Sequence, residues 1–449
     1  MKAAIASLLQ WFKGSSYMGS FCALFTLMCV SAPAQITKPA RNYVETIMTP
    51  SHVDRNYHVG EAASISLLAY AGGAPVDGVV VYYEHGPEML YSVHTDSVTF
   101  RNGRADIPLG TMDEPGFLAC KYRFQLNGRN YRDLVKLAFD ADSIRSYAQE
   151  PHDFDKFWKR TLREASRAPF DVKLYRREHL DSEKSSVWLV ELTVGPSGRK
   201  MFGYLSKPKA PGPHPVLFYP PGAGTKKIVS ENLYSDAGFI CLKVEIHGLN
   251  PELPDSVYNR LRSSLSNYNV KGLPDRDQFY YRSVYAGCSR CVDWLCTLPD
   301  WDGRNVLVTG GSQGGALTVV SAALNPKVTA LACFYPALND LTAFRHRRAG
   351  GWPKYFSTEN YANPIAYNQR EQAAQMLQYF DVTNFARKLH QPGFYNFGYG
   401  DNTCGPTSIW GMLNAISAPK TVVITPTSAH WRFSEVNDES ISWMMRHLK

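Results

Sequence analysis

The chain has 449 residues, 44% hydrophobic and 13% aromatic, with 48 basic and 40 acidic side chains. That apolar content excludes a largely disordered chain, and the length suits two or three domains. The net charge of +8 is scattered, with no zinc knuckle or aromatic-interleaved basic stripe, so nothing points to nucleic acid as a partner.

Residues 1–34 read as an export signal. Lys2 and Lys13 precede an apolar core at 21–30, and Ala32-Pro33-Ala34 puts small residues where signal peptidase needs them. Cleavage is expected near Ala34, which would leave the mature protein in the periplasm or outside the cell. The core falls short of the ~20 apolar residues of a stable membrane span. Seven cysteines follow it, an odd count without regular spacing, which argues against a disulfide framework. Cys288 and Cys291 read as small buried residues of a helix rather than a zinc or redox pair.

Residues 36–145 predict a small all-β domain. Alternating or β-branched runs lie at 63–70, 79–83, 97–101, 121–126 and 131–139, broken by Asn102-Gly103 and Asn127-Gly128. Asn-Gly suits a type I′ hairpin turn because both residues tolerate positive φ. Short strands over this length suggest an immunoglobulin-like sandwich. This region is expected to position substrate or other subunits rather than enter the chemistry.

From about residue 150 to 449 the pattern changes. Asp153 stands where it can cap a helix whose apolar face is Phe154, Phe157, Trp158, Leu162 and Ala165. Strands are then predicted at 187–193, 201–205, 216–219, 239–244, 306–309, 328–335, 394–397 and 421–425. Several are continuous apolar runs, as in strands covered on both faces. The expectation is an α/β domain with a mostly parallel, doubly wound sheet of about eight strands.

Chemistry concentrates at 306–324, VLVTGGSQGGALTVVSAAL. Here G-x-S-x-G sits between an apolar strand and a small-residue helix. In that setting the glycines permit a strained turn that lifts a serine oxygen above the sheet. A serine hydroxyl needs a base, and the base an orienting acid. In the hydrolase order Ser, acid, His, the candidates are Ser312, Asp401 in GYGDNTCGP and His430 in TPTSAHW. Asp340 is the rival acid, and His447 a poor rival base. Two backbone N–H donors for the oxyanion are expected from Gln313 and from the loop PPGAG, at Ala223. No metal-ligand spacing appears, and no cofactor is called for. The run Arg345-His346-Arg347-Arg348 reads as a solvated face, with an acidic-sugar subsite as the sharper alternative.

DFDKFWKRTL, YYRSVY, GGSQGG, YFDVTNFA, GYGD and SAHW together resemble the acetyl xylan esterase and cephalosporin C deacetylase family of carbohydrate esterases, from about Asp153 to the C-terminus. The resemblance implies an α/β-hydrolase fold, a Ser-Asp-His triad, no cofactor, an acetylated carbohydrate substrate and a homo-oligomer. The chain departs from it at the oxyanion loop, where Pro221-Gly222-Ala223 replaces His-Gly-Tyr. It departs again where His247-Gly248-Leu249 replaces Arg-Gly-Gln. The expected function is an exported serine esterase that deacetylates plant-type polysaccharides or their oligomers. Two alternatives are a serine peptidase of prolyl oligopeptidase type and a non-catalytic glycan-binding protein on a hydrolase scaffold.

Overall fold

The computed structural model describes residues 42–358 and 365–449; the export signal and its cleavage site lie outside them. The chain divides into two compact units, Met1–Glu45 with Tyr70–Ala74, and Thr46–Ala69 with Pro75–Lys449. Ser312, Asp401, His430, Gln313 and Ala223 all lie in the second.

The N-terminal strands are β1 (Val44–Pro50), β2 (Asn56–Tyr57), β3 (Ala63–Ala71), β4 (Ala74–Pro75), β5 (Val80–Pro87), β6 (His94–Thr99), β7 (Arg104–Gly110), β8 (Gly116–Leu126) and β9 (Arg129–Phe139). One sheet contains the antiparallel pair β3 and β7; the other runs β2-β9-β8-β5-β6. Burial alternates along β3 and β7, the period-two pattern of strands with one face on a core. Asn127 and Gly128, at φ 50° and 74°, close the hairpin in which Leu126 pairs with Arg129, as the Asn-Gly signal predicts. β2 pairs parallel with β9, so the region is mixed rather than purely antiparallel.

The remaining strands are β10 (Val172–Arg176), β11 (Ser185–Thr193), β12 (Lys200–Pro208), β13 (His214–Tyr219), β14 (Ile240–Val244), β15 (Trp301–Gly311), β16 (Ala330–Phe334), β17 (Gly393–Phe397) and β18 (Lys420–Ile424). They form a nine-stranded sheet in the order β10-β11-β12-β14-β13-β15-β16-β17-β18. Ladders are antiparallel as far as β14 and parallel from there to β18. The sheet exceeds the expected eight strands by β10, whose burial is almost wholly exposed; an edge strand without an apolar face leaves no periodic signal.

Both faces are covered. On one, the helices Phe154–Ser166, Tyr280–Leu295 and Gln313–Leu324 pack Trp158, Tyr285 and Leu317 onto Val216, Val306 and Leu331. On the other, Trp443 and Met444 of the C-terminal helix meet Leu217, Leu307 and Phe394. Asp153 begins the first helix, yet its side chain makes no capping hydrogen bond. Its carboxylate accepts from Arg276 (3.0 Å) and from the Tyr379 hydroxyl instead. All seven described cysteines are free, with Cys288 and Cys291 buried in the helix Tyr280–Leu295.

Candidate active site

Ser312 occupies the turn from β15 into the helix Gln313–Leu324 with φ 61° and ψ −126°. An L-residue pays for such a backbone in strain, and the surroundings must hold it there. Ala316 and Ala337 donate to its carbonyl and its own N–H reaches Phe334 O, each at 3.0 Å. The flanking glycines permit close approach: a Cβ on Gly314 would stand 2.6 Å from the Pro220 carbonyl oxygen, and one on Gly310 2.6 Å from that of Gly314.

The other two candidates come from loops after β17 and β18, at the same end of the parallel strands. His430 Nε2 lies 2.9 Å from Ser312 Oγ, and its Nδ1 lies 2.7 Å from Asp401 Oδ2. Asp401 has no exposed surface, and its Oδ1 accepts from the N–H groups of Thr403 (2.7 Å) and Cys404 (2.9 Å). A buried carboxylate held by two amides and an imidazole keeps a fixed orientation. The two loops are tied together by Gly400 N–H donating to Ser428 O at 3.0 Å. Asp401, Cys404 and His430 are also the grouping of potential metal-ligand side chains among the described residues; two of its three members are already engaged with each other.

Asp340 stands apart from this constellation. It accepts from the Tyr147 amide and pairs with Arg348, both at 2.8 Å, while burial raises its carboxyl above the usual range. The basic run around it is only partly solvated. Arg345 pairs with Glu371 and His346 stacks on Tyr147 at 4.1 Å.

Gln313 and Ala223 are the residues expected to donate to the oxyanion. Among the described residues neither amide has a protein acceptor, and Ala223 shares a cavity of about 390 Å³ with Ser312, His430, Tyr219, Tyr335 and Arg432. The neighbouring Gly224 amide is already committed to the Tyr268 hydroxyl at 3.1 Å. What sequence reasoning missed is the Gln313 side chain. Its Oε1 accepts from the hydroxyls of Tyr268 and Tyr281, both at 2.7 Å, and its Nε2 donates to Gly222 O at 3.2 Å. One buried amide thus joins the nucleophile turn to the oxyanion loop and to the helix Tyr280–Leu295.

Against known proteins, the family model described as acetyl xylan esterase (AXE1) matches residues 135–447. The chain belongs to that family. Acetyl esterase Axe7A of Xylanibacter ruminicola is 38% identical over 437 residues, 95% of this chain and 97% of its own. An alignment of that length takes in most of the N-terminal β region as well. Acetyl xylan esterase 1 of Thermoanaerobacterium sp. and the acetyl xylan esterase of Paenibacillus sp. R4 are each 22% identical. Both cover 69% of this chain and 98% of their own, with TM-scores of 0.60 and 0.59. They share the α/β-hydrolase fold. The protein is an acetyl esterase, a carboxylic ester hydrolase of the acetyl xylan esterase family, which sets aside the peptidase and non-catalytic readings.

The structure adds the surroundings of His247, one of the departures from the family pattern, and a contact of Lys136 that was not anticipated. His247 donates or accepts through Nδ1 with the Tyr280 hydroxyl at 2.7 Å, and burial lowers its pKa to about 4. Lys136, from β9, is fully buried against Glu88 at 2.5 Å and donates to the main-chain carbonyl of Asp401, also at 2.5 Å. The second Glu88 oxygen accepts from the Thr407 amide at 3.0 Å. Apart from general strand alternation, the sequence carries no local sign of this contact.

Proposed function

We propose that the protein is an exported serine esterase that removes acetyl groups from plant-type polysaccharides or their oligomers. The observation that carries the chemistry is the imidazole of His430 standing between Ser312 Oγ and Asp401. Ser312 Oγ attacks the acetyl carbonyl carbon while His430 Nε2 takes its proton, and Asp401 holds the imidazolium that forms. The amides of Gln313 and Ala223 receive the oxyanion. Collapse of the tetrahedral intermediate breaks the ester bond, and the sugar hydroxyl leaves with the proton from His430. Water, deprotonated by the same imidazole, then releases acetate and restores Ser312.

Carbohydrate as substrate is supported by family membership and by the names of the relatives above. Export is supported by the pattern of residues 1–34, and sequencing the secreted protein, expected to start at Gln35, tests it. Two N-terminal sheets, with burial alternating along β3 and β7 of one and along parts of β5 and β8 of the other, support an immunoglobulin-like sandwich for that region.

The decisive experiment is acetate release from a panel of acetylated glycans by the wild type and Ser312→Ala. Loss of a triad member costs on the order of 10⁴–10⁶ in kcat, so the variant should release essentially none. Asp401→Asn should approach the same loss, whereas Asp340→Asn should retain turnover. Were the two aspartates to behave the other way round, the acid assignment would fail.

A further inference from the structure

The five-stranded N-terminal sheet turns one face toward the core and leaves part of the other open. On β5, β8 and β9 the residues of that second face stand in rows across the strands. Tyr82 pairs with Arg123 and Arg123 with Arg132; next come Glu84, Lys121 and Leu134; then Gly86, Ala119 and Lys136. Exposure falls from the first row to the third, although Lys121 in the middle row stays exposed. Tyr82 is 48% exposed, Arg123 and Arg132 are exposed and Leu134 is intermediate. Lys136 is buried where the loop bearing Asp401 docks on it. At ~3.4 Å per residue, the Tyr82 row lies about 14 Å along the strands from the Lys136 row. The open face therefore begins where the acid loop ends.

Depressions in the surface follow the same line. A cavity of about 540 Å³ over Tyr82 and Arg123 shares Lys121, Leu134 and Asn402 as walls with a second of about 640 Å³. The second in turn shares Trp352 and Thr403 with the cavity above Ser312 and His430. Three depressions thus adjoin one another in series between the nucleophile and the N-terminal sheet.

From this adjacency we propose that the open face of β5, β8 and β9 is a glycan subsite. It would hold the chain of an acetylated oligosaccharide or polysaccharide while one of its esters lies at Ser312. The inference rests on the carbohydrate reading above and deepens it. The wall chemistry fits a sugar chain better than other polymers. The Arg123 guanidinium lies over the Tyr82 ring, 4.9 Å from its centroid, and steadies it; the ring surface that Arg123 does not cover is offered to the C–H face of a pyranose. Glu84 and Lys121, paired at 3.0 Å, present acceptor and donor to hydroxyl groups without leaving net charge. Three cations, Lys121, Arg123 and Arg132, stand among two carboxylates, Glu84 and Asp133, so the wall interleaves both signs, as hydroxyl-rich chains accept, rather than forming the single-sign patch a polyanion needs.

The test compares wild type, Tyr82→Ala, Arg123→Ala and Tyr82→Phe on three substrates: an activated acetate ester, an acetylated disaccharide and a long acetylated oligosaccharide. Loss of one stacking partner should raise KM for the long substrate about three- to tenfold. Rates on the activated ester and the disaccharide should stay at wild-type level, and Tyr82→Phe should keep the wild-type chain-length profile. Unchanged KM for the long substrate in both alanine variants overturns the subsite, as does an equal loss on all three substrates. If the wild type hydrolyses the activated ester but neither glycan, the carbohydrate reading itself fails and takes the subsite with it. A wild type active on both glycans, with variants indifferent to chain length, defeats the subsite alone.

Discussion

Gln313 has two separable roles. In the proposed mechanism its amide N–H receives the oxyanion, while its side chain ties the nucleophile turn to the Pro221-Gly222-Ala223 loop. Because the donors are main-chain groups, only the geometry of the Pro221-Gly222-Ala223 loop against the helix start decides how well they converge. Gln313→Ala keeps the N–H but strips two tyrosine hydroxyls and the Gly222 carbonyl of a buried partner. Removing a whole oxyanion donor costs about 10²–10³ in kcat; a displaced donor should cost less. The expected result is a fall in kcat of roughly 10- to 100-fold on an activated acetate, with KM changed less than threefold. A wild-type kcat would mean that the loop keeps its position without this amide. Chain order and loop context single out Ser312, Asp401 and His430, and the structure brings His430 within hydrogen-bond reach of the other two. The Gln313 side-chain network was not legible, because Tyr268 and Tyr281 reach it from elements 45 and 32 residues away.

At the scale of elements, strand β9 does more than close a sheet. Its residues Arg132, Leu134 and Lys136 face one way, and a strand of this alternation reads in sequence as having a solvated side. Lys136 departs from that pattern only because a loop 265 residues distant covers it, and no local periodicity encodes such a contact. The Asn-Gly turns, by contrast, were legible since positive φ is a property of the two residues themselves. The buried Lys136–Glu88 pair makes a sharp prediction. Lys136→Met leaves a carboxylate without its cation in a fully buried site, at a cost of about 3–5 kcal/mol. It also removes the donor to the Asp401 carbonyl. Urea unfolding should show the loss in midpoint, and Lys136→Met combined with Glu88→Gln should recover more than half of it, since no unpaired charge remains. A single variant costing less than about 1 kcal/mol would be incompatible with a buried ion pair beneath the acid loop.

At the scale of the whole molecule, the N-terminal region and the hydrolase sheet share apolar packing as well as this ion pair. Phe117, Ala138 and Ile144 belong to the same contiguous cluster as Phe154, Val216 and Leu331. The Phe117 ring meets Tyr399 edge-on at 4.8 Å, and the Tyr399 hydroxyl donates to Asn56 at 3.0 Å. Arg55 donates to the Pro426 carbonyl at 3.1 Å, within the loop that carries His430. The loops that carry Asp401 and His430 therefore both rest on residues 55–136. The catalytic candidates all lie after residue 153, as the sequence implies, yet two of them are supported from before it. When two regions share one core, unfolding either exposes apolar surface on the other, which couples their transitions. Differential scanning calorimetry should thus give one transition with van't Hoff and calorimetric enthalpies in agreement. Activity on a small acetate ester should vanish along the same curve as β-sheet circular dichroism. An early transition confined to the N-terminal strands, with esterase activity surviving it, would show that the acid and histidine loops hold their places unaided.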